Sequence, residues 1–181
     1  MIQYYAFCRA FTEISGKTWG VIGLGTIGRR VADIAKAFGA QIIYYSASGR
    51  SAQEGYEQVD LDTLLAKSDI ISIHAPLNEH TEGLMDKAAF AKMKKNCIFL
   101  NLGRGPIVVE QDLYEALEND EIAAAGLDVL CQEPMSETNP LRKIKDSKKL
   151  LITPHVAWAS VEARTKLMGI ILGQLKEYFQ I

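Results

Sequence analysis

The chain has 181 residues, 48% of them hydrophobic, which suits one sizeable α/β domain or one domain plus an appendage. With 20 basic and 22 acidic residues and a formal net charge of -2, it offers no basic footprint for nucleic acid or an anionic membrane. No apolar run reaches transmembrane length, the first residues lack the layout of a signal peptide, and the three cysteines (Cys8, Cys97, Cys131) show no C-x-x-C spacing. These features read as a cytoplasmic protein with reduced thiols, without a disulfide framework or a metal site.

Residues 1–15 carry Tyr4, Tyr5, Phe7 and Phe11 without a clear period and read as a linker or docking arm whose rings need a partner surface. A short apolar strand, Trp19 to Ile22, then runs into Gly23, Gly25 and Gly28 at the G-x-G-x-x-G spacing. Directly afterwards the period becomes helical: Ile27, Val31, Ile34, Ala35 and Phe38 fall on one face, with Gly39 as the stop. This strand–turn–helix context is what a dinucleotide fingerprint requires. The first glycine permits the turn, the second lets backbone approach a pyrophosphate, and the third lets helix and strand pack closely. The helix N-terminus adds its positive dipole end, with Thr26 and Ile27 between the glycines as further cofactor-facing positions.

A second strand, Gln41 to Tyr45, ends at Ser46 and a polar loop, Ala47 to Gly55. A short helix (about Leu61 to Lys67), a third strand (Asp69 to Ile73), a helix (Met85 to Lys95), a fourth strand (Cys97 to Leu102) and a helix (Glu110 to Asn119) follow. Then come a strand from Ile122 to Val129, a long polar loop to Lys149, a last strand from Leu150 to Thr153, and a helix from Val161 to Phe179 with a broad apolar stripe. Strands alternating with helices mean right-handed crossovers and an α/β fold, a Rossmann-type doubly wound parallel sheet. The units are a linker over 1–15, a dinucleotide-binding domain over 16–160 and a terminal helix over 161–181.

Open parallel sheets bind ligands beyond the carboxyl ends of their strands. His74-Ala75-Pro76 follows the third strand, Leu102-Gly103-Arg104-Gly105 the fourth, Asp128 and the loop with Glu133-Pro134 the fifth, and Pro154-His155 the last. An arginine can fork onto a carboxylate and polarise a neighbouring carbonyl. A histidine can exchange a proton with a carbonyl oxygen, and a glutamate on its other ring nitrogen orients it. With a nicotinamide as hydride carrier, the sum is interconversion of a 2-hydroxy acid and a 2-oxo acid. His74 either lines the nicotinamide pocket or is a satisfied histidine at a strand end. Trp158 is a substrate-side wall or packing for the last helix, His80 a loop residue, and Cys131 a bystander.

The sequence resembles the D-isomer-specific 2-hydroxyacid dehydrogenases from about Gly16 through Ala163. The motifs are Gly23-Leu-Gly-Thr-Ile-Gly28, His74-Ala-Pro-Leu77, Asn101-Leu-Gly-Arg-Gly105, Gly126-Leu-Asp-Val129, Glu133-Pro134 and Thr153-Pro-His155. The resemblance implies that Arg104 binds substrate, His155 is the acid/base, Glu133 pairs with it and Asp128 contacts the nicotinamide amide. It further implies a homodimer paired through cofactor domains. Gln132-Glu-Pro134 with Asn139-Pro-Leu141, and the run Pro154 to Ser160, look most like glycerate dehydrogenases (hydroxypyruvate reductases).

Two departures matter. NAD sites of this type place an acid at the second strand's end, about 20 residues beyond the glycines. Here that position is Ser46, followed by Ser48 and Arg50, with Glu54 the next acid, so either NAD or NADP is expected, tipped toward NADP. Members of the family also carry an N-terminal substrate domain of about a hundred residues, typical of a small domain. The chain is therefore expected to bind cofactor but to be incomplete for catalysis. The competing readings are a dinucleotide-sensing, corepressor-like binding module and an inactive cofactor-binding fragment.

Overall fold

The computed structural model describes residues 12–48, 55–146 and 148–180. Arg50, Glu54, Cys8 and the aromatic positions Tyr4, Tyr5, Phe7 and Phe11 lie outside the described residues. Seven strands form one all-parallel sheet in the order β3-β2-β1-β4-β5-β6-β7. They are β1 (Thr18–Ile22), β2 (Gln41–Tyr45), β3 (Glu57–Gln58), β4 (Ile70–Ile73), β5 (Ile98–Asn101), β6 (Ala124–Leu127) and β7 (Leu150–Ile152). The order reverses between β1 and β4, which opens a crevice at the carboxyl edge beside the glycine turn.

The helices are α1 (Thr26–Ala37), α2 (Leu61–Lys67), α3 (Lys87–Ala91), α4 (Glu110–Glu118) and α5 (Val161–Phe179). Alternation along each strand divides the core. Ile22, Ile43, Ile71, Ile73 and Phe99 pack with the buried residues of α2, α3 and α4, whereas Val21 and Tyr44 pack with Ala32 of α1. Helices thus lie on both faces, as a doubly wound sheet demands. Beyond α1's reach, its side of the sheet is thinly covered: Ile98 of β5 and Leu151 of β7 are 41% and 66% exposed. Along α5 every described residue is exposed, including Leu167, Ile171, Leu172 and Leu175.

Most elements sit within a residue or two of their sequence-derived bounds, and Gly39 stops α1 at φ +87°. Some points differ. The face α1 lays on the sheet is Gly28, Ala32 and Ala35; the larger members of the stripe, Ile27, Ile34 and Phe38, are 59–68% exposed. The cause is how close the helix sits: a Cβ on Gly28 would stand 2.2 Å from the Gly23 carbonyl oxygen and 3.2 Å from Val21 Cγ1, leaving room only for small side chains. The helix expected over Met85 to Lys95 is shortened to α3, because Met85 pairs in a bridge with Val108 and Asp86 caps the helix by accepting the Ala89 N–H at 2.8 Å. The long loop after β6 holds a 3-10 turn, Pro140–Lys143.

Candidate active site

The glycine turn is shaped by contact. Gly23 adopts φ +92°, and a Cβ there would press on Ala75 backbone at 2.7 Å. Gly25, at the N-cap of α1, has no atom within 4 Å of its would-be Cβ. It opens on a cavity of about 390 Å³, lined also by Thr26, Arg29, Ser46, Ser48, His74, Pro76, Asn78 and Thr81. The Ser46 and Ser48 hydroxyls lie 3.3 Å apart at the end of β2. No carboxylate is among the described residues lining this cavity. Ile27, 68% exposed, is not among the residues that line it. Leu102 lines a separate apolar hollow with Leu100, Gly126, Leu151 and Thr153, and Gly103 packs against the Ala75 carbonyl.

His74 ends β4. Its Nε2 lies 3.1 Å from Ser72 Oγ, which also accepts the Trp19 indole N–H at 2.9 Å, while its buried Nδ1 has no partner. Burial pushes its pKa down to about 4, so the ring is neutral at pH 7. The sign follows: the unfolded histidine protonates first, near 6.5, so the folded state loses stability as pH falls from about 6.5 toward 4. Replacing His74 with Asn is expected to flatten that segment of a Tm-versus-pH curve. An unchanged slope would show that the ring is not neutral in the fold.

The second cavity, at the ends of β6 and β7, is lined by Asp128, Glu133, Pro134, Met135, Pro154 and His155. His155 Nδ1 lies 2.8 Å from Glu133 Oε2, and the other oxygen, Oε1, accepts the Leu130 N–H at 2.9 Å. Those two contacts, the backbone one first, hold the Glu133 carboxyl below its usual range. His155 itself sits at φ +55°, uncommon for a residue with a side chain. It is kept there by its own N–H to the Thr153 carbonyl and by Asp128. Asp128 Oδ1 accepts Thr153 Oγ1–H (2.5 Å) and the Val156 N–H (2.9 Å), and Oδ2 accepts the Ala157 N–H (2.9 Å). Burial pushes the Asp128 pKa up, but these donors outweigh it and the net shift is downward.

Arg104 follows β5 on the same rim but does not line the cavity of the Glu133–His155 pair, and its Nη1 donates to the Gly103 carbonyl at 2.8 Å. Its loop is pinned by buried Asn101, whose Nδ2 donates to the Arg104 carbonyl (2.9 Å) and whose Oδ1 accepts the Gly103 N–H (3.1 Å). A Cβ on Gly105 would stand 2.0 Å from the Leu130 carbonyl, so the arginine loop rests directly on the glutamate loop. The Cys131 thiol is pushed up to about 11, by burial and then by Glu110, and stays protonated at neutral pH. No group of three or more His, Cys, Asp or Glu among the described residues could hold a metal ion, and no described helix is long and apolar enough to cross a membrane.

The sequence profile described as D-isomer specific 2-hydroxyacid dehydrogenase, NAD binding domain, matches residues 6–157. The chain belongs to this family. A hydroxypyruvate reductase of Blautia hydrogenotrophica is 44% identical over 170 residues, 93% of this chain and 52% of that protein. The solved structure of an acyclic imino acid reductase (Bsp5) in complex with NADPH and D-Arg superposes with TM-score 0.87 at 36% identity, covering 99% of this chain and 56% of that one. D-lactate dehydrogenase with NAD+ from Lactobacillus jensenii gives TM-score 0.81 at 36% identity, over 89% and 52% of the two chains. The chain therefore spans about half the length of the relatives it matches.

Within this NAD-binding domain, Arg29, Asn78 and Thr81 line the cavity beside the glycine turn without having stood out in the sequence. Arg29 lies four residues beyond Gly25, the spacing of one helical turn, and its N–H bonds the Gly25 carbonyl. The Asn78 and Thr81 side chains close a local turn through the His80 N–H, the Asn78 N–H and the Pro76 carbonyl. An Asn-x-x-Thr spacing just past a strand end is a signal that could have found both.

Proposed function

We propose that this chain is the cofactor-binding half of an oxidoreductase that moves a hydride between a nicotinamide dinucleotide and a D-2-hydroxy acid/2-oxo acid pair, with glycerate/hydroxypyruvate the leading candidate. The observation that carries the reading is the Glu133–His155 contact of 2.8 Å on the rim that also holds the glycine turn. The cradle suits the dinucleotide: the N-terminus of α1 meets open space at Gly25, and His74 lines the same cavity. When bound, the nicotinamide supplies or accepts the hydride.

The remaining tasks fall to the chain. An ionised Glu133 accepts the Nδ1–H of His155 and so leaves Nε2 to carry the exchanged proton. Nε2 protonates the carbonyl oxygen in reduction and takes the hydroxyl proton in oxidation. Arg104, swung off the Gly103 carbonyl, forks onto the substrate carboxylate and polarises the adjacent carbonyl. Asp128 keeps one lone-pair site on Oδ2 for the nicotinamide amide once its three loop donors are counted. The exposed α5 and the half-length match support a substrate half that grips from the other side and covers this helix. The exposed Ile27, Ile34 and Phe38 on α1 support a homodimer, which sedimentation would show as a dimer or refute as a monomer.

The hydroxyls of Ser46 and Ser48, without a carboxylate, support NADP over NAD. Titration with NADPH and NADH, followed by cofactor fluorescence, is expected to show tighter binding of NADPH. Stronger NADH binding overturns the preference, and failure of both to bind overturns the functional reading. Offered hydroxypyruvate, the chain by itself is expected to turn over slowly or not at all. Robust steady-state reduction would show that no second half is needed.

A further inference from the structure

A carboxylate outside both cavities ties the loop that carries Glu133 to the body of the domain. Glu110 is the first residue of α4, a helix whose N-cap residue, Val109, makes no side-chain capping bond. Its Oε1 accepts the Cys131 N–H at 2.8 Å, and its Oε2 accepts the Asn139 side-chain Nδ2–H at 2.8 Å. Asn139 is itself 7% exposed, and its Oδ1 accepts the Leu141 N–H at 2.9 Å. One carboxylate thus fastens both ends of the segment 131–139, between which lie Glu133 and Pro134.

We propose that Glu110 is a positioning residue for the acid/base pair, holding the 131–139 loop so that Glu133 meets both Leu130 and His155. This rests on the functional reading of that pair but is tested without turnover. The order of contacts is short: Cys131 N–H on Glu110, the adjoining Leu130 N–H on Glu133 Oε1, and Glu133 Oε2 on His155 Nδ1. The two charge-assisted bonds Glu110 accepts are of the stronger kind, and losing them strands a backbone N–H and a buried amide. The Gly105 contact on Leu130 braces the other side of the same backbone, so the loop is held between α4 and the arginine loop.

Glu133 reports this geometry directly. Its carboxyl is held low by the Leu130 N–H and then by His155, against burial and the nearby charge of Asp128. The experiment is carbon-13 NMR titration of the Glu133 side-chain carboxyl in the 181-residue chain, assigned by its disappearance in Glu133→Gln, and repeated in Glu110→Gln and Glu110→Ala. A glutamine keeps one oxygen for the Cys131 N–H but presents a donor to the donor of Asn139; an alanine keeps neither bond. The expected result is a graded rise of the Glu133 midpoint, smaller in Glu110→Gln and larger in Glu110→Ala, with dinucleotide binding at the glycine turn unchanged. A Glu133 midpoint unmoved in both variants, even with a lowered Tm, would reduce Glu110 to a structural anchor and overturn the proposal. The functional reading fails separately, by absence of dinucleotide binding.

Discussion

His155→Gln is expected to lower kcat for reduction of a 2-oxo acid by about 10²–10⁴-fold, the range that positioned general acid–base catalysis contributes. The measurement belongs on the longest natural form of the protein that shows turnover, at saturating reduced cofactor. Glutamine approximates the size of the ring but offers no group that gains or loses a proton near neutral pH. The dissociation constant of the reduced cofactor is expected to change far less than kcat, because His155 lies outside the cavity beside the glycine turn. Glu133→Gln is expected to cost less. Its oxygen can still accept the Leu130 N–H, but its NH2 then donates to Nδ1 and favours the tautomer with the proton on Nε2, which cannot take the hydroxyl proton in oxidation. A His155→Gln kcat within about threefold of wild type, well below the acid–base range, would remove His155 from the chemistry.

The Glu133–His155 pair was legible in the sequence because topology did most of the work. Once alternating periods fix a parallel sheet, each strand's last residues must fall on one edge, so Glu133 and His155 converge although they are 22 residues apart. The same reasoning places Arg104 on that edge but says nothing of where its side chain lies, and in the structure it folds back on Gly103. Glu110 was out of reach. Its partners are 21 and 29 residues away in an irregular loop, and nothing in a helix's first residue announces a contact of that kind.

The elements themselves show the same division. The bounds of α2, α4 and α5 follow from caps and periods, as with Asp60 accepting the Thr63 N–H and Ser160 accepting the Ala163 N–H. The burial of α1 does not follow from its period. A hydrophobic stripe says that a face is buried somewhere; it does not say on what. Here steric closeness at the glycine turn hands the sheet to Gly28, Ala32 and Ala35 and leaves the bulkier stripe exposed. The two-residue β3 was too short to carry any period.

Gly28→Ala and Gly25→Ala are expected to fail in different ways, and the contrast tests what the turn is for. At Gly28 the new methyl would stand 2.2 Å from the Gly23 carbonyl oxygen, a backbone atom that cannot rotate aside. Relief requires α1 to withdraw from β1, an overpacking cost of about 2–3 kcal/mol. In a domain of this size that lowers Tm by roughly 5–10 °C. The withdrawal also carries the helix N-terminus away from the cavity, so dinucleotide affinity is expected to fall along with stability. At Gly25 the backbone is in an ordinary extended conformation, φ -78°, and the methyl meets nothing within 4 Å. Tm is therefore expected to stay near wild type. Yet Gly25 lines the cavity of about 390 Å³, and the methyl occupies the approach a pyrophosphate needs to reach the α1 amides. A loss of at least about tenfold in affinity, about 1.4 kcal/mol, is expected by fluorescence titration. Lost binding with kept stability would mark this backbone as a ligand surface, whereas a Gly25→Ala chain that binds the dinucleotide as tightly as wild type would place the pyrophosphate elsewhere.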